Sequence, residues 1–182
     1  MPKLRIELVD VYCGDTEDIT GADDFYLVGA LAGGGTTKPI LTRPIKINDK
    51  QTKKFGPEDI LLFEGEIPQG QSVKGGLNAY DEDAQKSWQK HGETIKNITE
   101  KVSSVVAIAG PPGVLAGQIL SAAVAAAGLI GSLDKDDLLG TTELEISATG
   151  PAYEERTWKM SKKTGTGWST WDYAVRYRIQ RS

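Results

Sequence analysis

Cysteine and histidine occur once each in this 182-residue chain, at Cys13 and His91. One cysteine excludes an internal disulfide and fits a reducing compartment. With a single histidine there is no convincing Ser-His or Cys-His nucleophile–base pair, so the sequence reads as a non-catalytic module. The opening "MPKLRIELVD" carries no apolar segment of export length. The expectation is therefore a cytoplasmic protein, with export by a route without a signal peptide left open. Net charge is -4 and mean hydropathy -0.31, which excludes bulk attraction to nucleic acid and leaves an ordinary globular composition.

The acids are unevenly placed. Eleven of the 25 acidic residues fall in the windows 15–24, 81–83 and 134–137. Carboxylates so close repel one another unless a positive charge lies among them. Calcium, which takes six to eight hard oxygens, is one candidate. An EF-hand is excluded, because the glycine position after Asp81 and Asp83 holds Lys86 and no glutamate closes the loop.

Eight strand-like stretches are predicted: Leu4–Tyr12, Phe25–Leu31, Ile40–Ile47, Ile60–Ile67, Ser72–Tyr80, Thr142–Ala148, Tyr153–Met160 and Trp171–Ile179. Turn signals such as "GGGTT", "FGPED" and "TGTG" separate them, which predicts an eight-stranded antiparallel β-sandwich. Residues 84–133 break that rhythm. Trp88, His91, Ile95, Ile98, Val102, Val105 and Ala109 recur at steps of three and four, an amphipathic helix that Pro111-Pro112 must end. "GVLAGQILSAAVAAAGLI" follows as a second helix, with Gly113, Gly117, Ser121 and Ala125 in a small-residue row suited to close helix approach. The expected organisation is one domain over residues 1–182 with a helical hairpin inserted at 84–133.

"DITGADDFYLV" resembles the first calcium loop of the C2 domain family, a group of calcium-dependent phospholipid-binding β-sandwiches. Asp18, Gly21, Asp24 and Tyr26 fit the loop's pattern, with Phe25 where the family usually has proline. "LNAYDED" resembles the third calcium loop, with Asp81 and Asp83 as its aspartate pair. "DLLG", Asp137 to Gly140, resembles the element that opens the next strand, displaced about fifty residues by the hairpin. The strand order is similar to the permuted form of the family. The family's Asn-Pro-x-Trp signature is absent, and "FGPED" stands in its place.

This resemblance implies calcium held by Asp18, Asp24, Asp81, Asp83 and Asp137, with Glu82, Asp136 and Asp23 as further contributors. It also implies a protein at the periphery of a membrane, attached to anionic phospholipid. Lys38, Arg43, Lys46, Lys50, Lys53 and Lys54 fall within seventeen residues containing one acid, Asp49; Lys50, Lys53 and Lys54 are the lipid-facing candidates, weighed against a merely solvated strand and loop. Val102 to Leu133 carries no charge over thirty-two positions, but the proline pair cuts it into pieces of marginal spanning length. The hairpin is read either as packed on itself or a partner, or as a membrane-inserting element. The rival functions are a calcium-stabilised carbohydrate- or protein-binding module displaying Trp158, Trp168 or Trp171, and a pore-forming or self-assembling protein using the hairpin. His91 and the tryptophans are expected mainly to pack. The sequon at Asn97 carries meaning only in a secreted protein.

Overall fold

Alternating apolar residues build the first and last strands. β1 (Lys3–Asp15) points Leu4, Ile6 and Leu8 inward, and β10 (Trp171–Arg181) does the same with Tyr173, Val175, Tyr177 and Ile179. The two pair antiparallel along their lengths. The computed structural model describes residues 1–16, 21–82, 90–110, 113–128, 137–163 and 170–182. Around that central pair, β9 (Tyr153–Lys162) flanks β10, while β5 (Gln51–Lys53) and β6 (Leu61–Glu66) share the free side of β1. The second sheet runs β3 (Thr36–Leu41), β2 (Asp23–Gly33), β7 (Ser72–Asp81), β8 (Asp137–Ser147), with β4 (Ile45–Ile47) also on β2.

The antiparallel sandwich is thus as expected, with ten strands among the described residues. The count rises because Ile40–Ile47 is two strands. Pro44 cannot donate to a ladder, so β3 ends at Leu41 and β4 begins at Ile45. Thr42 is turned to use at the break: its hydroxyl accepts the Leu27 N–H at 2.9 Å. The short β5 is a further strand that three residues, Gln51 to Lys53, could not signal.

Two cores result. The first lies between the sheets, where Phe25 of one stacks on Tyr173 of the other with ring centroids 5.3 Å apart. The second lies outside the second sheet. There α1 (His91–Ala109) and α2 (Ala116–Gly128) cover Tyr26, Val28, Ala30, Leu41 and Tyr80 with Ile98, Val102, Ile119, Ala123 and Ala126. The hairpin is a third layer. Of the readings above, packing holds, and the surface it packs against is the protein's own sheet.

That layer explains β2, in which eight consecutive residues from Phe25 to Ala32 are buried. A sheet covered on both faces reads as a continuous apolar run rather than an alternation. Close approach is required as well. A side chain at Gly76 of β7 would meet the Thr142 carbonyl oxygen at 2.4 Å and Leu120 Cδ2 of α2 at 3.0 Å. The small-residue row on α2 is not the contact stripe: Gly113, Ser121 and Ala125 are exposed, while Ala122, Ala123, Ala126 and Ala127 are buried.

Gly110 ends α1 at a positive φ of 71°, its N–H bonded to the Val106 carbonyl at 2.9 Å. At the other end His91, half-buried, lies with Nε2 2.7 Å from the Leu41 carbonyl oxygen. A carbonyl only accepts, so Nε2 carries the proton and ties α1 to the end of β3. Trp171 packs as expected, buried, with its indole N–H donating to the Leu139 carbonyl at 2.8 Å. Trp158 is partly buried against the same core, and Trp88 and Trp168 lie outside the described residues. No described helix is long and apolar enough to cross a membrane.

Candidate metal centre

Three of the five expected calcium aspartates stand on neighbouring strand ends at one end of the second sheet. Asp81 closes β7, Asp24 opens β2 and Asp137 opens β8; in the pairing, Asp81 faces Phe25 on one side and Asp137 on the other. The Asp24 N–H donates to Asp81 Oδ1 at 2.7 Å, and the Glu82 N–H returns to the Asp24 carbonyl at 3.2 Å. Asp81 is almost fully buried, Asp24 and Glu82 are half-buried and Asp137 is exposed. Asp18, Asp83 and Asp136 lie outside the described residues.

Strand alternation separates the neighbours Asp23 and Asp24. Asp23 points between the sheets, 1% exposed, where it accepts a hydrogen bond from the Tyr173 hydroxyl. Burial and that carboxylate together hold the Tyr173 phenol protonated, its pKa raised far beyond the ordinary range. Burial also lifts the nearby Cys13 thiol to about 11, with Asp23, Asp49 and Asp15 adding to the rise. Such a thiol is inert at neutral pH. Asp24, by contrast, stands opposite Lys46 in the pair of β2 with β4. Within the protein, Asp23 thus has the Tyr173 hydroxyl as a partner, and Lys46 is the cross-strand neighbour of Asp24.

The first sheet supplies the other rim. Asp49, in the turn from β4 to β5, accepts both the N–H and the hydroxyl of Thr16 at 2.9 Å each. Those two donors hold the Asp49 carboxyl below its ordinary pKa. Asp15 accepts from the Thr170 hydroxyl at 2.7 Å. Thr16, Asp49 and Thr170 were not singled out by the sequence, because hydroxyl donors beside a lone acid have no spacing signature.

The donor chemistry, hard carboxylate oxygens on adjacent strand ends, is of the kind calcium takes. Among the described residues alone, however, no three acidic, histidine or cysteine side chains stand close enough to hold a metal. Lys50 lies exposed on the turn from β4 at this end, while Lys53 closes β5 opposite Val11 and Lys54 follows it, both exposed and farther from the acids. Arg43 lies outside that group, paired with Glu58 at 2.5 Å.

The hairpin tip is at the opposite end. Lys74, near the start of β7, donates to the Val114 carbonyl at 3.1 Å. Seven residues separate Lys74 from Asp81, about 23 Å along an extended strand. The insertion starts at the acidic end, folds back along the sheet, and carries its charge-free turn away from the aspartates.

No family model matches this chain, and no curated protein matches it. Among solved structures it is similar to a C2 domain, at 12% identity and a TM-score of 0.44, over 100% of this chain and 99% of that one. It is also similar to human GIVD cytosolic phospholipase A2, solved with methyl gamma-linolenyl fluorophosphonate, at 11% identity and a TM-score of 0.43. That match covers 99% of this chain and 17% of the phospholipase. A third similarity, to CC2D1B, has 10% identity and a TM-score of 0.43, over 98% of this chain and 54% of that one.

Proposed function

We propose that the protein is a non-catalytic module whose acidic end binds calcium and attaches it to anionic phospholipid membranes. The observation supporting this reading most directly is the placement of Asp24, Asp81 and Asp137 at the ends of three adjacent strands. Asp18 and Asp83, one loop away in sequence, complete the donor set in the proposal. Neutralising these acids would leave Lys46, Lys50, Lys53 and Lys54 to set the local charge. Each basic residue near an anionic surface contributes about 1 kcal/mol. The protein would then sit at the membrane periphery on its acidic end, with the hairpin pointing away.

Co-sedimentation with phosphatidylserine-containing vesicles, in calcium and in chelator, tests this. Pelleting in calcium that chelator reverses supports it; equal pelleting in both, or none, overturns it.

Self-association through the hairpin is a second reading, favoured by Ile108 and Leu115, which are 86% and 62% exposed beside the tip. Sedimentation equilibrium of the intact protein and of Ile108→Ser distinguishes it. The carbohydrate platform has less support, since Trp171 is buried and Trp158 partly so.

A further inference from the structure

The end of the molecule away from the aspartates holds a cavity of about 460 Å³ between the hairpin tip and the turns that join β2 to β3 and β6 to β7. That volume lies within the roughly 300–1,000 Å³ typical of small-molecule sites. One wall is apolar, formed by Ala32, Val106, Ala107 and Val114. The opposite wall is backbone and short side chains, because Gly33, Gly34, Gly35 and Gly70 occupy the two turns. Gly34, Gly35 and Gly70 have φ of 56°, 80° and 80°, and at Gly35 and Gly70 no atom stands within 4 Å of where a Cβ would be. These turns hold their shape only with glycine, and the missing side chains leave the space open.

Charge enters at one point. Among the described residues of the lining, Lys74 is the only cation and Glu145 the only acid. The Lys74 side chain is 17% exposed, yet its ammonium makes a single hydrogen bond among the described residues, to the Val114 carbonyl at 3.1 Å. Glu145 forms an ion pair with it at 3.8 Å, longer than a hydrogen bond, and is itself 62% exposed. An ammonium has three donors. A largely desolvated cation with two donors unused and an apolar wall beside it suits an anion that carries a hydrocarbon tail.

We infer that this cavity binds a small aliphatic carboxylate, its head on Lys74 and its tail along Val106, Ala107 and Val114. The single amine selects a monoanion over a phosphate, which would call for further cations. The exposed Glu145 can turn to solvent as the carboxylate enters. The site is independent of calcium, being at the other end of β7.

The probe is octanoate, titrated into the intact protein by calorimetry and by amide NMR shifts. Acetate supplies the head without the tail, and octanamide the tail without the charge. Octanoate should bind saturably. Octanamide should bind about tenfold more weakly or not at all, since a charge-assisted hydrogen bond is worth at least that factor, and acetate at least as weakly, since it leaves the apolar wall unfilled. Lys74→Met keeps the stem and removes the charge, and should weaken octanoate about tenfold. Because Lys74 also holds Val114, Ala107→Trp serves as the second variant: Ala107 is exposed on α1, so a bulky ring there fills the cavity mouth without entering the core. That variant should abolish binding. No saturable octanoate binding, binding that acetate or octanamide equals, or undiminished binding by either folded variant overturns the inference.

Discussion

The backbone N–H of Asp24 donates to the carboxylate of Asp81 at 2.7 Å. This bond, to Oδ1, fastens the exit of the first acidic loop to the end of β7. An asparagine at 81 keeps an oxygen for the same N–H while losing the charge. Asp81→Asn should therefore fold and still separate calcium binding from structure. Ligand that binds only the folded state stabilises it by about 2.7 kcal/mol at a hundredfold excess over the dissociation constant. Thermal melts of the wild type in calcium and in chelator should differ, and Asp81→Asn should shrink the difference. Identical wild-type melts at millimolar calcium would remove calcium from the proposal.

The lysines give a separate expectation. Exposed charges are screened within about 8 Å at physiological ionic strength, so vesicle binding through Lys50, Lys53 and Lys54 should weaken as salt rises. The triple glutamine variant should bind anionic vesicles less tightly while its calcium-dependent melting shift is unchanged. Equal vesicle binding would return these residues to an ordinary solvated turn.

Acid should loosen the outer face of the first sheet. Glu7 on β1 is buried, yet it accepts from Arg5 Nε at 2.9 Å and from Arg178 Nε at 2.8 Å. The Arg5 hydrogen bonds, helped by Arg178, hold its carboxyl below the ordinary value. A carboxylate with a depressed folded pKa contributes stability that is present above its unfolded pKa, about 4.3 for glutamate. That stability is lost as pH falls through the folded value. Glu7→Gln should cost about 1–3 kcal/mol at pH 7. Its melting temperature should also fall less steeply than the wild type's between pH 5 and pH 3, as read by circular dichroism. Parallel pH profiles would show that Glu7 is not the titrating group.

The fold was legible where each face of a strand met one environment. β1 and β10 alternate, and their alternation gave both strands and their inward faces. The acidic end was legible too, as clustered charge: Asp24, Asp81 and Asp137, far apart in sequence, stand on adjacent strand ends. The third layer was harder to see. Its signal was present in the unbroken apolar run of β2, "FYLVGALA", and in Gly75-Gly76 of β7, but a continuous run fits several buried arrangements. The compensation of Asp23 by Tyr173 spans 150 residues and leaves no local pattern. Lys74 and its cavity escaped for a similar reason, since turns and a helix end distant in sequence build it together.

Burial on the hairpin should divide its residues sharply. Ile98 is 0% exposed against the second sheet, whereas Ile108 is 86% exposed. Truncating a fully buried isoleucine to alanine typically costs 2–5 kcal/mol, and an exposed one about 0.5 or less. Chemical denaturation of Ile98→Ala and Ile108→Ala should show that contrast. Similar losses would mean that the hairpin does not pack as described.

The same packing bears on how a membrane could be met. Tyr26, Val28, Ala30 and Tyr80 lie beneath the helices, so replacing residues 85–133 with a Gly-Ser linker would uncover an apolar sheet face. Such a variant should bind a hydrophobic dye and aggregate, which makes it a poor test of vesicle binding. A fluorophore at an exposed position is the better instrument. Position 113 lies on the exposed tip beside Val114, which Lys74 ties to the far end of β7. If attachment runs through the acidic end, a label at 113 should keep its aqueous emission when calcium and vesicles are both present. A label at Lys50, beside Asp49 and Thr16, should turn blue under the same conditions. The reverse result, a blue shift at 113 and none at 50, would move the membrane contact to the charge-free tip and detach it from the aspartates.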